Sequence, residues 1–321
     1  MARILKIIVP CFNEEAALPK TAERLASELE VLIKTHNLDA GSQICFVDDG
    51  STDSTWNKIL DLSESSNLFA GLKLSRNFGH QRALFAGLME CEADITVSID
   101  ADLQDDVSVL DQMLTEHENG SQIVLGVRDD RSHDSWFKRA TASLHYKLLT
   151  IIGVESIADH ADFRLMSRLA VRYLSQYRET QLYLRGLIPL LGLPTAQVHY
   201  SRHERVAGET KYSFTKMLNL SIDGILSFSS APLRAISVVG ISVFLISIFL
   251  TMWVLASVFS GSVVPGWAST VLPIYLLGGF QLFALGVVGE YVAKIYLEAK
   301  ARPIFHVEDR CGNLEGQEPI Q

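Results

Sequence analysis

The sequence predicts an α/β domain with a mostly parallel sheet, followed by helices that lie on a membrane and then cross it. Two observations predict this. Up to about Ser230, short β-branched runs alternate with segments of helical period, the pattern of a sheet covered on both faces. From Ala235 to Gly289 there is not one Asp, Glu, Lys or Arg, and such a break separates water-facing from lipid-facing chain.

The elements follow in order. Residues 4–9 are a β-branched run closed by Pro10, and residues 16–34 carry helical spacing through Leu18, Leu25, Leu29 and Leu32. Residues 44–47 form a second strand ending at Asp48-Asp49-Gly50, and residues 53–62 a helix. Residues 69–74 are a third strand, 81–90 a helix, 95–99 a fourth strand ending at Asp100, and 123–127 a fifth. In such sheets ligands bind beyond the carboxyl ends of the strands. Those ends carry polar segments: 10–15, 48–53, 100–104 and 126–131.

Residues 139–152 and 213–228 mix apolar positions at helical spacing with a few charges, as interfacial helices do, although an ordinary packed helix reads the same way. Residues 236–259 and 271–288 are apolar runs of about the ~20-residue length that crosses the hydrocarbon core, joined by a loop at 260–270 that contains Trp267. Gly278, Gly279 and Gly286 suit close helix packing. Arg234 precedes the first run, and Lys294, Lys300 and Arg302 follow the second; the positive-inside bias puts both flanks in the cytoplasm. The tail from Glu308 to Gln321 is polar and reads as loosely ordered.

Composition excludes some functions. A net charge of -9 over 321 residues argues against general nucleic-acid binding. Cys11, Cys45, Cys91 and Cys311 form neither a CxxC pair nor a Cys/His cluster, so no zinc site or disulfide framework is expected, and free thiols suit a reducing cytosol. The apolar run at the N-terminus is too short for a signal peptide and reads as a strand. No GxGxxG follows the first strand, which sets a dehydrogenase aside.

Three strand-end segments carry chemistry. In Asp100-Ala101-Asp102-Leu103-Gln104, carboxylates two apart on extended chain point the same way, and they repel unless a cation lies between them. In Val47-Asp48-Asp49-Gly50-Ser51-Thr52-Asp53, Gly50 allows a tight turn and Asp53 suits a helix cap; a carboxylate here suits a nucleobase NH or ribose hydroxyls. In Val9-Pro10-Cys11-Phe12-Asn13-Glu14-Glu15, Pro10 stiffens the strand exit, and Glu14 or Glu15 can serve merely as a helix cap. The segment from Arg205 to Lys211 puts two cations around Gly208, as a loop closing over phosphates would, or simply a solvated charged loop.

Taken together, these segments resemble family-two glycosyltransferases of the GT-A fold, a Rossmann-like domain. Ala161-Asp162-Phe163-Arg164-Leu165 and Arg205-Val206-Ala207-Gly208-Glu209-Thr210-Lys211 resemble the polyprenyl-phosphate branch, which holds dolichol-phosphate mannose synthase and the GtrB-like bacterial undecaprenyl-phosphate glucosyltransferases. The resemblance covers nearly the whole chain. It implies inverting transfer of a hexose, glucose from UDP-glucose first, to undecaprenyl phosphate. UDP-GlcNAc, a UDP-aminoarabinose derivative or GDP-mannose are the alternative donors, and a non-catalytic membrane nucleotide-sugar-binding protein is the alternative outside enzymes.

By position it implies that Pro10, Asn13, Glu15 and Asp49 bind the donor with Asp100, Asp102 and Gln104. The last three would also hold Mg2+ or Mn2+. Arg205 and Lys211 would act on the diphosphate, while Arg128, Arg139 and Ser143 would contact the acceptor phosphate. Asp162 belongs to the catalytic set as general base or orienting group, with pairing to Arg164 or Arg168 as its purely structural alternative. Processive synthases carry Gln-x-x-Arg-Trp; Gln181-Leu182-Tyr183-Leu184-Arg185-Gly186 lacks the Trp and the spacing. The expected organisation is a catalytic domain over 1–211, a juxtamembrane segment over 212–233, a transmembrane hairpin over 234–293 and a tail over 294–321, with both termini cytoplasmic. Beyond donor, lipid and membrane, a second copy of the chain, a flippase and a downstream glycosyltransferase suit that role as partners.

Overall fold

The computed structural model describes residues 2–102, 104–128, 160–177, 179, 182–200, 231–259 and 267–314. The segments 139–152 and 213–228, read above as interfacial helices, lie outside these residues. The chain divides into two compact units, Met1–Leu148 with Glu155–Tyr212 and Arg302–Gln321, and Leu149–Val154 with Ser213–Ala301.

The first unit is built on an eight-stranded sheet. In chain order its strands are β1 (Leu5–Cys11), β2 (Gln43–Asp48), β3 (Phe69–Leu74), β4 (Ile95–Ser98), β5 (Ile123–Arg128), β6 (His160–Ser167), β7 (Thr195–Tyr200) and β8 (Val307–Cys311), arranged β7-β5-β6-β4-β1-β2-β3-β8. The pairs β1–β2, β1–β4, β2–β3 and β5–β7 are parallel, and β3–β8, β4–β6 and β5–β6 antiparallel. All seven residues of β1 are buried, as expected for a central strand covered on both faces.

Helices α1 (Leu18–Thr35), α2 (Thr55–Ser65), α3 (His80–Glu90) and α4 (Val109–Glu118) link the early strands, with α5 (Arg168–Leu174) and α6 (Leu184–Leu190) later in the chain. The Leu18, Leu25, Leu29 and Leu32 stripe of α1 is buried in the main core, as its spacing requires. His36, just past α1, bonds Asp111 at 3.0 Å and Glu118 at 3.2 Å, tying the end of α1 to α4.

The tail corrects one expectation. Residues 307–311 are not loose but form β8, which covers the β3 edge antiparallel, with Gly71 opposite Cys311. A Cβ on Gly71 would stand 2.7 Å from the Cys311 sulfur, so the glycine makes room for the strand. Lys73–Glu308 at 2.8 Å and Arg310–Glu90 at 2.7 Å fasten it. A short, charged strand of this kind blunts a sheet edge.

The second unit contains α7 (Ala231–Phe259) and α8 (Trp267–Ala299). Both apolar runs are helical; Trp267 and Thr270, read above as loop, already belong to α8. Among the described residues one segment, Leu277–Ala299, is long and apolar enough to cross a membrane, and none of it is buried within the protein. A Cβ on Gly278, Gly279 or Gly286 meets nothing within 4 Å among the described residues.

Candidate active site

Strand direction gathers the polar segments. β1, β2, β3 and β4 are parallel, so their carboxyl ends share one edge of the sheet. β6 runs against β4, with Ser98 opposite Arg164, which brings the start of β6 and Asp162 to that edge. β5 runs against β6, and β7 follows β5, which adds Arg128 and Tyr200 there. The helix α3 starts after β3 and delivers His80.

The exits of β1 and β2 are knitted together. Pro10 is buried opposite Val47. Asn13 sits at φ 55, a left-handed conformation that asparagine tolerates, and its Oδ1 accepts from the Thr52 amide at 2.9 Å. The Glu15 carboxylate accepts from the Ser54 amide at 3.0 Å, and Asp53 accepts from the Glu15 amide at 3.3 Å and from the Thr55 amide at 3.0 Å. Asp53 thus acts as the local cap expected of it, while Glu15 caps the helix after β2 rather than its own.

Asp49 is buried and accepts from the Phe78 amide at 2.7 Å and the Gly79 amide at 2.9 Å, one on each oxygen. Burial nonetheless raises its proton affinity above the usual carboxylate range. Asp49 therefore fixes the turn that launches His80. Gly50 completes the lock: it sits at φ +66, and a Cβ would fall 2.4 Å from the Arg76 carbonyl carbon. Gly50→Ala is therefore expected to cost about 2 kcal/mol or more, a fall of roughly 5 °C in melting temperature. An unchanged melting curve would mean that the 76–79 turn yields freely.

After β4 comes the Asp100–Gln104 turn. Thr21 of α1 donates to the Ala101 carbonyl at 2.8 Å, and the Gln104 amide donates to Asp102 at 3.2 Å. Gln104 Oε1, Asp105 Oδ2 and Asp48 Oδ2 are buried with no hydrogen-bond donor, and buried Asp100 Oδ1 makes no hydrogen bond, with His80 Nε2 3.4 Å away. Burial raises the Asp100 proton affinity; His80 works against this, and the negative charges of Asp162, Asp105 and Asp102 add to it. Unsatisfied oxygens on carboxylates and an amide are the donor set a hard divalent cation takes. In this respect Asp100 and Gln104 fit such an ion, although among the described residues no three His, Cys, Asp or Glu side chains converge as a metal site.

Asp162 is the best-connected carboxylate. Arg164 binds its Oδ1, and Arg185 forks onto both oxygens at 3.2 and 3.1 Å. Gln81 donates to it at 3.2 Å and in turn accepts from the Leu184 amide at 3.3 Å, linking α3 to α6. His80 Nε2 lies 3.4 Å from both Asp162 and Asp100. Burial pushes the Asp162 proton affinity up, but His80, Arg164 and Arg185 outweigh it and hold the group well below the carboxylate range. Burial likewise works against a charged His80, and the two carboxylates more than offset it, raising its pKa. The Arg164 pairing weighed above as structural is present; Arg168 instead lies 3.5 Å from Asp94.

Arg128 is engaged beside this cluster. Its Nη2 lies 2.9 Å from buried Asp105, and Tyr200 donates to the same oxygen at 2.5 Å. The tyrosine hydroxyl is held protonated, by burial first and then by the Asp105 charge.

The structure thus brings together Asp100, Asp102, Gln104 and Asp162, and the Asn13, Glu15 and Asp49 network at the same edge. Arg139, Ser143, Arg205 and Lys211 lie outside the described residues. Sequence reasoning assigned no site role to His80, Gln81, Asp105, Arg185 or Tyr200. Asp105 stood inside the acidic segment after β4 and was open to notice; the others meet the site only through the reversal of β6 and the placement of α3, α6 and β7.

Known proteins give the same picture. The model for Glycosyl transferase family 2 matches residues 6–174. An uncharacterised glycosyltransferase of Bacillus subtilis, YkoT, is 42% identical over 320 residues, covering 99% of this chain and 95% of the relative. The bactoprenol glucosyl transferase of Shigella phage SfX is 39% identical over 308 residues, covering 95% of this chain and 99% of that protein. Among solved structures, glucosyl-3-phosphoglycerate synthase from Mycobacterium tuberculosis matches at a TM-score of 0.44 and 20% identity, over 70% of this chain and 78% of that one, too distant to bear on function. With an α/β sheet that gathers acidic turns at its carboxyl edge and a family match over more than half its length, the chain belongs to glycosyltransferase family 2 and is a glycosyltransferase.

Proposed function

We propose that the enzyme transfers glucose from UDP-glucose to undecaprenyl phosphate at the cytoplasmic face of the membrane, with inversion at the anomeric carbon. The observation that carries this reading is the similarity, from end to end, to a protein named bactoprenol glucosyl transferase. The state of Asp162 supports it. A carboxylate held by two guanidiniums and a histidine is a poor base, unsuited to deprotonating a sugar hydroxyl. A phosphate monoester has its second pKa at about 6 and needs no such help. Asp162 is then an orienting group.

In this reading an acceptor phosphate oxygen forms the bond to the anomeric carbon as the bond to UDP breaks, and the electron pair leaves on the diphosphate. Pro10, Asn13, Glu15 and Asp49 frame the nucleoside side, and Asp100, Asp102 and Gln104 the ribose and diphosphate. A Mg2+ or Mn2+ held by these last three residues would neutralise charge on the leaving group. Arg205 and Lys211 close over the phosphates and exclude water, which would otherwise hydrolyse the donor. Arg128, Arg139 and Ser143 receive the acceptor phosphate, which for Arg128 requires sharing its guanidinium with Asp105.

The helices α7 and α8 form the membrane hairpin of 234–293, both termini cytoplasmic. The exposed apolar side chains of α8, such as Leu282 at 71% and Leu285 at 65%, support a lipid surrounding. Incubating membranes with UDP-glucose, UDP-GlcNAc, a UDP-aminoarabinose derivative or GDP-mannose, then weighing the extracted lipid by mass spectrometry, tests the reading. A hexosyl-phosphoundecaprenol from UDP-glucose alone is expected. Product from another donor reassigns the sugar, and donor binding without any product points to a nucleotide-sugar-binding protein instead.

A further inference from the structure

Arg185 has no part in the assignments above, yet its surroundings ask for an anion. One carboxylate, Asp162, is shared by two guanidiniums, so the trio carries one positive charge beyond neutrality. The two arginines differ in access. The Arg164 side chain is 1% exposed, whereas the Arg185 side chain is 41% exposed, so the surplus charge reaches solvent through Arg185. A second observation points the same way. Arg164 Nη1 is buried and has no acceptor, so the trio lacks an acceptor oxygen as well as a negative charge. Asp100 lies beyond His80, whose Nε2 is 3.4 Å from both Asp100 and Asp162.

Arg185 is also held in place. Its fork onto Asp162 fixes the guanidinium plane, and the Gln81 bond to the Leu184 amide pins the start of α6 beside it. A fixed planar guanidinium with one edge open is suited to phosphate oxygens, which it binds with direction as well as charge.

We propose that Arg185 is a substrate-binding residue that contacts a phosphate group, either the monoester of the lipid acceptor or the diphosphate of the donor. The proposal rests on the glycosyltransferase reading and adds a residue to its site. Isothermal titration of the full-length protein in detergent separates the two sources. One arm compares a short-chain prenyl phosphate with the matching prenyl alcohol; the other compares UDP with uridine.

In Arg185→Gln, binding of one phosphate probe is expected to weaken by about 10-fold or more, the scale of a charge-assisted hydrogen bond, while its uncharged counterpart binds as before. Arg185→Lys, which keeps the charge without the fork, falls between. A loss confined to prenyl phosphate assigns the contact to the acceptor, and one confined to UDP assigns it to the donor. Both phosphate probes binding as in the unaltered protein would overturn the proposal. So would an equal loss for charged and uncharged probes, the mark of a purely structural role. Should Arg185→Gln fail to fold, Arg185→Lys, which keeps a cation beside Asp162, is read for the same outcomes. Binding needs no turnover, so a wrong donor sugar or a missing lipid product would sink the proposed reaction without touching this result.

Discussion

Asp162→Asn is expected to lower the melting temperature by on the order of 10 °C, even though the substitution keeps the size and shape of the side chain. Asp162 and Arg164 are both buried, and removing one partner of a buried ion pair leaves the other charge without compensation, at a cost of about 3–5 kcal/mol. Arg185 can turn its exposed side to water; Arg164, at 1% exposure, cannot. Asparagine also offers an NH2 where Arg164 and Arg185 present only donors, so part of the hydrogen bonding is lost with the charge.

The pH dependence has a definite sign. The Asp162 proton affinity is lower in the folded protein than in the unfolded chain, so its contribution to stability is complete above the ordinary carboxylate range and is lost as pH falls towards the depressed folded value. The deficit of Asp162→Asn should therefore be constant from neutral to alkaline pH and shrink only in acid. Adding Arg164→Met should recover part of the lost stability, because it removes the stranded charge. A single variant that melts like the unaltered protein would show that water or a neighbour relieves Arg164, and the cluster would lose its claim to rigidity.

The same cluster marks where sequence reading fails. The β1 and β3 runs were legible as short, mostly apolar stretches bounded by polar segments, β1 being β-branched as well; β3 begins and ends where its pattern said, at Phe69 and Leu74. The long uncharged stretch announced α7 and α8 for a similar reason. β8, Val-Glu-Asp-Arg-Cys, was illegible because an edge strand has a neighbour on one side only and carries charges on purpose. β6 hides an aspartate and an arginine in a buried strand, and their mutual pairing is what permits it. The acidic turns at 48–53 and 100–104 stood out locally, each being one short segment. His80 and Arg185 did not, since they reach Asp162 from separate elements, the start of α3 and α6, and no local pattern encodes that meeting.

Asp102→Ala should have the opposite profile to Asp162→Asn, with chemistry lost and fold retained. Asp102 lies on the turn after β4, partly exposed, and its carboxylate accepts from the Gln104 amide at 3.2 Å within the same turn. Its side chain is partly exposed rather than part of the core, so the variant should stay in membranes through an alkaline wash and melt within a few degrees of the parent protein. On the donor side, however, Asp102 adds negative charge beside Asp100, and buried oxygens on Asp100 and Gln104 make no hydrogen bond. If these residues hold a divalent ion against the donor diphosphate, losing a carboxylate should reduce transfer by about 10²–10³-fold or more, the scale on which removing a charge-stabilising group acts. Chelation should bring the parent enzyme to the same residual rate, and adding Mg2+ or Mn2+ should restore the parent but not the variant. Transfer by Asp102→Ala at the parent rate, still dependent on added metal, would move the ion elsewhere, whereas parallel loss of fold and activity would make Asp102 a structural residue.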